Sequence, residues 1–276
     1  MKILLLDAMN LIHRARGGFS KGENAMIFSF FRCLKPIVEK FNADRAYFVL
    51  EGRPKKRTGL FSDYKINRPA LPDEFWRQQK EIIDLISYLP VRLARHPDLE
   101  CDDVIANLAK EYTENGDEVI IVSGDSDFIQ VFDILDSRLV SIYHPIKKTF
   151  IDAPEFEYLK WKSLKGDVSD NIPGIPGIGT KRATQHVLSE DKLADLLSDN
   201  TNREIYERNR SLIEFVWFSE SIAASGVDIG YPKVSFDHVN HTFKEMLFDS
   251  MINEKYWNNF LNAFKSLEHG EKNIYK

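Results

Sequence analysis

VIIVSGDSD, residues 119–127, runs four apolar β-formers into a turn that carries two aspartates. A run this short and this apolar suits a strand covered on both faces. Two more runs have the same form: KILLL, residues 2–6, stops at Asp7, and AYFVL, residues 46–50, stops at Glu51. Helical spacing fills the intervals. From 23 to 41 the apolar positions 27, 30, 31, 34, 37, 38 and 41 fall on one helical face, with Pro36 expected to kink or split the helix. Residues 73–89 and 102–112 give two further helices, the second stopped near Asn115-Gly116. Strands alternating with helices predict an α/β domain over residues 1–153, with a mainly parallel central sheet flanked by helices. Sites on such sheets form beyond the carboxyl ends of the strands, where Asp7, Glu51 and Asp125 stand.

From about residue 154 the pattern turns helical: 154–165, 180–188, 190–198, a long segment near 203–224, then 242–249 and 253–266. This predicts a helical subdomain over 154–276 that partly packs back on the sheet, with 226–240 as an irregular connection. Residues 53–72 stand apart. Their first part, RPKKRTGLFSDYKINR, sets Phe61 and Tyr64 among cations and lacks a firm hydrophobic period. A flexible basic loop beside Glu51 is expected there.

A chain of 276 residues with 43% hydrophobic content can bury a substantial core. Asp7 and Asn10 interrupt the apolar start, no small-residue cleavage site follows, and no apolar stretch is long enough to span a bilayer. Cys33 and Cys101 form no metal-type pair, which fits a soluble protein of a reducing compartment. The seven histidines are scattered.

The acids are more telling. Asp7, Glu51, Glu100, Asp102, Asp103, Asp125, Asp127, Asp167 and Asp170 all lie at predicted strand ends or beside helix starts. Glu100 and Asp103 share a helical face, Asp125 and Asp127 are two apart, and Asp167 and Asp170 repeat the three-residue spacing. A lone aspartate at a helix start is usually a cap, and Asp102 or Asp167 taken singly reads that way. Nine converging carboxylates would repel one another, and hard divalent cations, Mg²⁺ or Mn²⁺, would relieve that repulsion. Two such ions roughly 4 Å apart can stabilise the attacking and leaving oxygens of a phosphodiester. The formal net charge is −5, and setting these nine aside leaves the rest at +4. An acidic site beside a basic loop suits a polyanionic partner.

Four segments carry a resemblance: DAMN (7–10), LECDDVIANLA (99–109), VSGDSDFIQV (122–131) and GDVSDNIPGIPGIGTKRA (166–183). Together they resemble the signatures of the 5′-nuclease (flap endonuclease) family, over roughly residues 1–225. That family includes the 5′-nuclease domain of bacterial DNA polymerase I and bacteriophage 5′→3′ exonucleases with ribonuclease H activity. The resemblance implies a PIN/5′-nuclease-like fold. It implies a first metal site on Asp7, Glu51, Glu100, Asp102 and Asp103, and a second on Asp125, Asp127, Asp167 and Asp170. Glu51 departs from the family's aspartate by one methylene. DYKINR (63–68) resembles the Tyr-Lys-x-x-Arg stretch at the base of the family's helical arch, which puts Lys65 and Arg68 on the scissile phosphate. Tyr64 is then a stacking platform for a terminal base or, alternatively, a core-facing aromatic. Arg57 joins the DNA contacts.

Residues 171–183 resemble a helix–hairpin–helix DNA-binding hairpin. Gly174, Gly177 and Gly179 would let backbone N–H groups approach a phosphate, Thr180 opens a helix, and Lys181 and Arg182 add charge. Ile175 and Ile178 would anchor the turn, and a K⁺ ion among the hairpin carbonyls is implied. The function implied is a Mg²⁺-dependent, structure-specific 5′-nuclease that removes 5′ flaps or RNA primers. Its expected partners are duplex DNA with a 5′ flap or an RNA–DNA hybrid. No polymerase segment follows residue 276, so a polymerase or single-strand-binding protein acting in trans is expected. A monomer in the cytoplasm of a bacterial or phage-infected cell completes the expectation. Two rivals are a non-catalytic duplex-binding module and a PIN-like ribonuclease acting on single strands.

Overall fold

The three apolar runs form adjacent parallel strands, and a larger sheet grows from them. The computed structural model describes residues 1–18 and 22–272. The first half comprises β1 (Lys2–Asp7), α1 (Ala8–Arg16), α2 (Ala25–Phe41), β2 (Arg45–Val49), α3 (Lys55–Leu60), α4 (Asp73–Ser87), β3 (Arg92–Arg95), α5 (Cys101–Glu114) and β4 (Glu118–Val122). A 3-10 helix at Ser126–Asp133 leads to β5 (Val140–His144), β6 (Thr149–Ile151), α6 (Tyr158–Lys165), β7 (Gly166–Asp167) and β8 (Ile172–Pro173). Then come α7 (Thr180–Val187), α8 (Glu190–Leu196), α9 (Asn200–Ile213), β9 (Asp228–Gly230), α10 (Phe236–Glu245), α11 (Asp249–Ile252), α12 (Glu254–Ala263) and α13 (Lys265–Lys272).

The main sheet runs β6-β5-β4-β1-β2-β3-β9. Its five inner strands are parallel, and β6 and β9 close the edges antiparallel. The mainly parallel α/β expectation holds. The chain winds one way from β1 to β3 and the other way from β4 to β5. The switch therefore falls between β1 and β4, where a crevice opens past the carboxyl ends. Side-chain alternation splits the core. Leu4, Leu6, Phe48 and Val122 face α2, α4 and the C-terminal helices, whereas Ile3, Leu5, Val49 and Ile121 face α5.

Several expectations need correction. The helix over Pro36 is neither split nor ended: α2 is continuous, with Phe30, Phe31 and Leu34 buried before the proline and Ile37, Val38 and Phe41 after it. The helix expected over 203–224 stops at Ile213. The chain then lies along α5, where Asp103, Asn107 and Glu111 accept the backbone N–H groups of Val216, Phe218 and Ile222 at 2.9, 2.8 and 2.7 Å. The supposed irregular connection 226–240 contains β9 and the start of α10, whose N-cap Ser235 accepts from the His238 N–H. Val239, Phe243, Phe260 and Phe264 belong to the core on the α2 side of the sheet, while α6 to α9 gather around Leu164, Ile175, Ala183 and Tyr206.

Residues 53–72, expected as a flexible basic loop, contain a short helix and reach other segments. Residues 55–60 are helical, the Lys65 N–H reaches the Asp170 carbonyl at 3.0 Å, and Asn67 donates to the Asn171 side chain at 2.8 Å.

In the 171–183 segment the glycines serve different ends. A Cβ at Gly174 would lie 2.1 Å from the Lys165 carbonyl oxygen, and Gly177 has φ +79. At Gly179 a Cβ would meet nothing within 4 Å. Gly174→Ala is therefore expected to cost about 2 kcal/mol or more, and Gly179→Ala to stay within about 0.5 kcal/mol of wild type. Urea unfolding of the pair checks this.

Candidate active site

The crevice between β1 and β4 is lined with acid. Asp7 closes β1 and caps α1 through the Asn10 N–H at 3.0 Å. Ser123, one residue beyond β4, donates to Asp7 Oδ2 at 2.7 Å. Asp125 follows and caps the 3-10 helix through the Asp127 N–H at 2.9 Å. Glu51, past β2, accepts from the Cys101 N–H at 3.1 Å. Asp7, Glu51, Asp102 and Asp125 line one cavity of about 220 Å³, together with Lys65 and Arg68.

The ligand atoms of Asp7, Cys101 and Asp102 lie within 4.8 Å of one another, and so do those of Asp127, Asp167 and Asp170. These two clusters differ in how their charge is balanced. In the first, burial raises Asp7 to about 6 against hydrogen bonds from Ser123 and Asn10, with Asp125 and Glu51 adding repulsion. Burial is also the main cause that raises Asp102, Asp125 and Glu51, with neighbouring carboxylates adding to it. In the second, the Lys162 ammonium lies 2.6 Å from Asp167 and also contacts Asp127. Burial alone would raise Asp167, but Lys162 and hydrogen bonds from Lys162 and Ser169 outweigh it and hold the carboxyl at about 2.

The nine expected acids thus do not behave alike. Glu100 and Asp103 are committed to the protein's own cations. Arg57 sends a two-pronged contact to Asp103 at 2.6 and 2.8 Å and reaches Glu100 at 2.9 Å. Glu100 also receives the Tyr64 hydroxyl at 2.9 Å and pairs with Lys65. Asp103 is fully buried and, with Glu100, forms the capping box of α5. Asp125 lines the cavity with Asp7 and Asp102 and also lies within the electrostatic reach of Lys162, Asp170 and Asp167 in the other cluster.

Two DNA-contact expectations are likewise corrected. Arg57 is 4% exposed, and its remaining donors reach the Leu212 and Glu214 carbonyls at 2.8 and 3.1 Å. Tyr64 is 7% exposed and packs with Ile172, Leu212 and Ile213, so it is the core-facing aromatic. Lys65 and Arg68 do reach the site. Lys65 adopts φ +58, an uncommon left-handed conformation for a lysine, while Arg68 meets Asp170 at 2.7 Å and keeps half its side chain exposed. Gly177, Gly179, Thr180, Lys181 and Arg182 are all exposed, Gly174 is half-buried, and Arg182 donates to the Gly177 carbonyl at 3.0 Å. Ile175 is buried and Ile178 partly so, which anchors the turn.

Lys162 was missed in reading the sequence. It sits among Lys160 and Lys165 in α6 and reads as part of a solvated face, yet it is 4% exposed. The one signal was its position just ahead of Gly166-Asp167.

The residues present fit hard divalent cations. Their donors are carboxylate oxygens in two clusters, and burial holds the Cys101 thiol well above its ordinary range, so it stays a neutral S–H. The pH consequence has a definite sign. A carboxyl raised in the folded state binds its proton more tightly than in the unfolded chain. Without cations, stability from Asp7 is full below pH 4 and is lost as pH rises through about 6. That loss is on the order of 3 kcal/mol for Asp7 alone. Asp167 acts oppositely, but only between about pH 2 and 4. Thermal unfolding in EDTA should accordingly show a higher melting temperature at pH 5 than at pH 7.5, and added Mg²⁺ should remove the difference.

A mainly parallel sheet with two carboxylate clusters beyond its switch point is an arrangement that can hold divalent cations. The chain belongs to the 5′-3′ exonuclease family: the model described as "5'-3' exonuclease, N-terminal resolvase-like domain" matches residues 2–158. It is 30% identical over 251 residues to DNA polymerase I of Chloroflexus aurantiacus, covering 82% of this chain and 26% of the polymerase. It is 29% identical over 195 residues to the 5′-3′ exonuclease of Buchnera aphidicola subsp. Schizaphis graminum, 66% of this chain and 68% of that one. The chain thus spans only about a quarter to a third of its DNA polymerase I relatives. Among solved structures it resembles the bacteriophage T5 flap endonuclease in a pseudo-enzyme-product complex with DNA and metal ions. The TM-score there is 0.64 at 18% identity, over 96% of this chain and 100% of the other. The catalytic core of Rad2 in complex with DNA substrate gives 0.57 at 16% identity, over 96% and 92%. These likenesses establish the fold. No helix among the described residues is long and apolar enough to cross a membrane.

Proposed function

We propose that this chain is a Mg²⁺-dependent, structure-specific 5′-nuclease that cleaves phosphodiesters near the 5′ end of a strand paired to DNA. The observation that carries this is the pair of acid clusters at the β1–β4 switch, with Lys65 and Arg68 on their rim. Asp7, Glu51, Asp102 and Asp125 would hold one cation, and Asp127, Asp167 and Asp170 another. When bound, the cations supply activation of water and neutralisation of charge developing on the phosphate. Everything else falls to the protein. Lys65 and Arg68 bind and orient the scissile phosphate, held in place by Glu100 and Asp170. Lys162 keeps Asp127 and Asp167 together. Glu100 and Asp103 act one step back, by fixing Lys65, Arg57 and the start of α5.

Residues 171–183 would grip the duplex without reading its sequence. Gly179 is the N-cap of α7 with no side-chain cap, and Lys181 and Arg182 flank it in solvent. A K⁺ ion at the hairpin carbonyls belongs to the same reading. Removal of RNA primers through ribonuclease H activity, and cooperation with a polymerase or single-strand-binding protein, follow from the family resemblance. The test uses a 5′-labelled flapped duplex and a nicked RNA–DNA hybrid, each with Mg²⁺ and with EDTA. Short 5′ products only with Mg²⁺ are expected. Tight binding with no cutting would instead leave a duplex-binding module, and cutting of free RNA in preference to both would point to a single-strand ribonuclease.

A further inference from the structure

A second cavity, about 500 Å³, adjoins the acid-lined one, and Met9 and Glu51 line both. Its volume lies within the range of ligand pockets. Trp76, in the first turn of α4, stands at it with 48% of its surface exposed. Arg53 and Arg95 also line it, and both are exposed. Arg95 donates to the Glu51 backbone carbonyl at 2.9 Å. Among the described residues neither arginine has a carboxylate partner. Gln79 contributes an amide. Aromatic contacts link the two cavities along one wall: His13 of the acid cavity stacks on Phe75 at 5.1 Å, and Phe75 meets Trp76 edge-on at 5.3 Å.

On the other side of the acid cavity Lys65 and Arg68 pair with Glu100 and Asp170. A strand end that lies on the acids can continue across the shared Met9 and Glu51 toward Trp76. An exposed indole in a cavity with two guanidiniums that lack carboxylate partners offers a face to a base and charge to its phosphates. Resting on the nuclease reading, we propose that this cavity receives an unpaired nucleobase of the 5′-ended strand, stacked on Trp76, with Arg53 and Arg95 on the adjoining phosphates.

The experiment compares two labelled nicked duplexes, one with a short unpaired 5′ tail and one without. Binding is read by fluorescence anisotropy in EDTA, where no cutting intervenes. Wild type, Trp76→Ala, Trp76→Phe and the double variant Arg53→Ala/Arg95→Ala are measured, with circular dichroism confirming that each is folded. The tail is expected to tighten wild-type binding about tenfold. Trp76→Ala and the arginine double variant should lose that increment, Trp76→Phe should keep most of it, and Trp76→Ala should bind the tail-less duplex as wild type does. The proposal is overturned if the tail adds nothing to wild-type binding, or if Trp76→Ala keeps the increment. Mg²⁺ is then restored. A wild type that cuts both duplexes but shows no Trp76-dependent increment sinks this proposal alone. A wild type that binds yet cuts neither removes the nuclease reading and this proposal with it.

Discussion

Asp102→Asn is expected to lower Mg²⁺-dependent cleavage by about 10³-fold and, in EDTA, to raise the melting temperature. The two effects have one cause. Burial holds the Asp102 carboxyl well above its ordinary range, and Asp125, Asp7 and Glu51 push it further. Without a cation that crowd of like charge works against folding. Asparagine keeps the shape, and its oxygen can still accept from the Cys101 Sγ now 3.1 Å from Asp102 Oδ1. It removes one negative charge, which should add about 1–2 kcal/mol of stability and several degrees in melting temperature. The same charge is a ligand. A cation contributes several kcal/mol to charge stabilisation in such reactions, and about 4 kcal/mol corresponds to the stated loss. Mg²⁺ should reverse the ranking of melting temperatures, since wild type binds the ion more tightly. An Asp102→Asn protein that cuts at the wild-type rate, or melts lower than wild type in EDTA, would show that the carboxylate serves the fold and not the ion.

Arg57→Ala should give the largest loss of stability of any single change considered. The guanidinium is buried against Asp103 and Glu100 and satisfies two carbonyls at the end of α9. Removing it strands a fully buried carboxylate, at a cost of about 3–5 kcal/mol. For a chain of this size that is roughly 10 °C in melting temperature. Arg57→Lys should recover little, because an ammonium cannot reproduce the fork. The double variant Arg57→Met/Asp103→Asn should recover part of the loss, since both charges leave together while the amide oxygen can still accept from the Val216 N–H. Duplex affinity, measured below the melting transition, should change by less than about twofold. Unchanged melting with weakened DNA binding would instead return Arg57 to the substrate surface.

Much of the site was legible because it sits where local rules place it. Apolar runs that end in Asp7 and Asp125 declare both a buried parallel strand and the edge at which it meets solvent. The residues misjudged are those whose partners lie far away in the chain. Arg57 and Lys162 look like surface charge until residues 100–103 and 127–167 fold beneath them. The early end of α9 was hidden for a similar reason. Asp103, Asn107 and Glu111 recur every four residues along α5 and resemble a wetted helix face, yet they serve as an acceptor row for the irregular segment 216–222. β3, with the sequence RLAR, carries arginine at both ends, and only its place in the sheet buries Arg92 and Ala94. Such contacts are written in pairs of distant segments, and periodicity within one segment cannot carry them.

The ladder of β7 and β8 is only two residues long on each side, yet it determines how force travels. Gly166 pairs with Pro173, Asp167 pairs with Ile172, and the Ile175 N–H returns to the Leu164 carbonyl at 2.9 Å. Asp167 and the glycine turn are therefore spliced through backbone, with no linker between them to bend. A pull on 174–182 reaches Asp167 across a few bonds rather than across a hinge. Were a nucleic-acid strand held at that turn, as proposed, the offset between the point of grip and the carboxylates would be fixed like a gauge block, and register along the strand would be measured by the protein's own main chain.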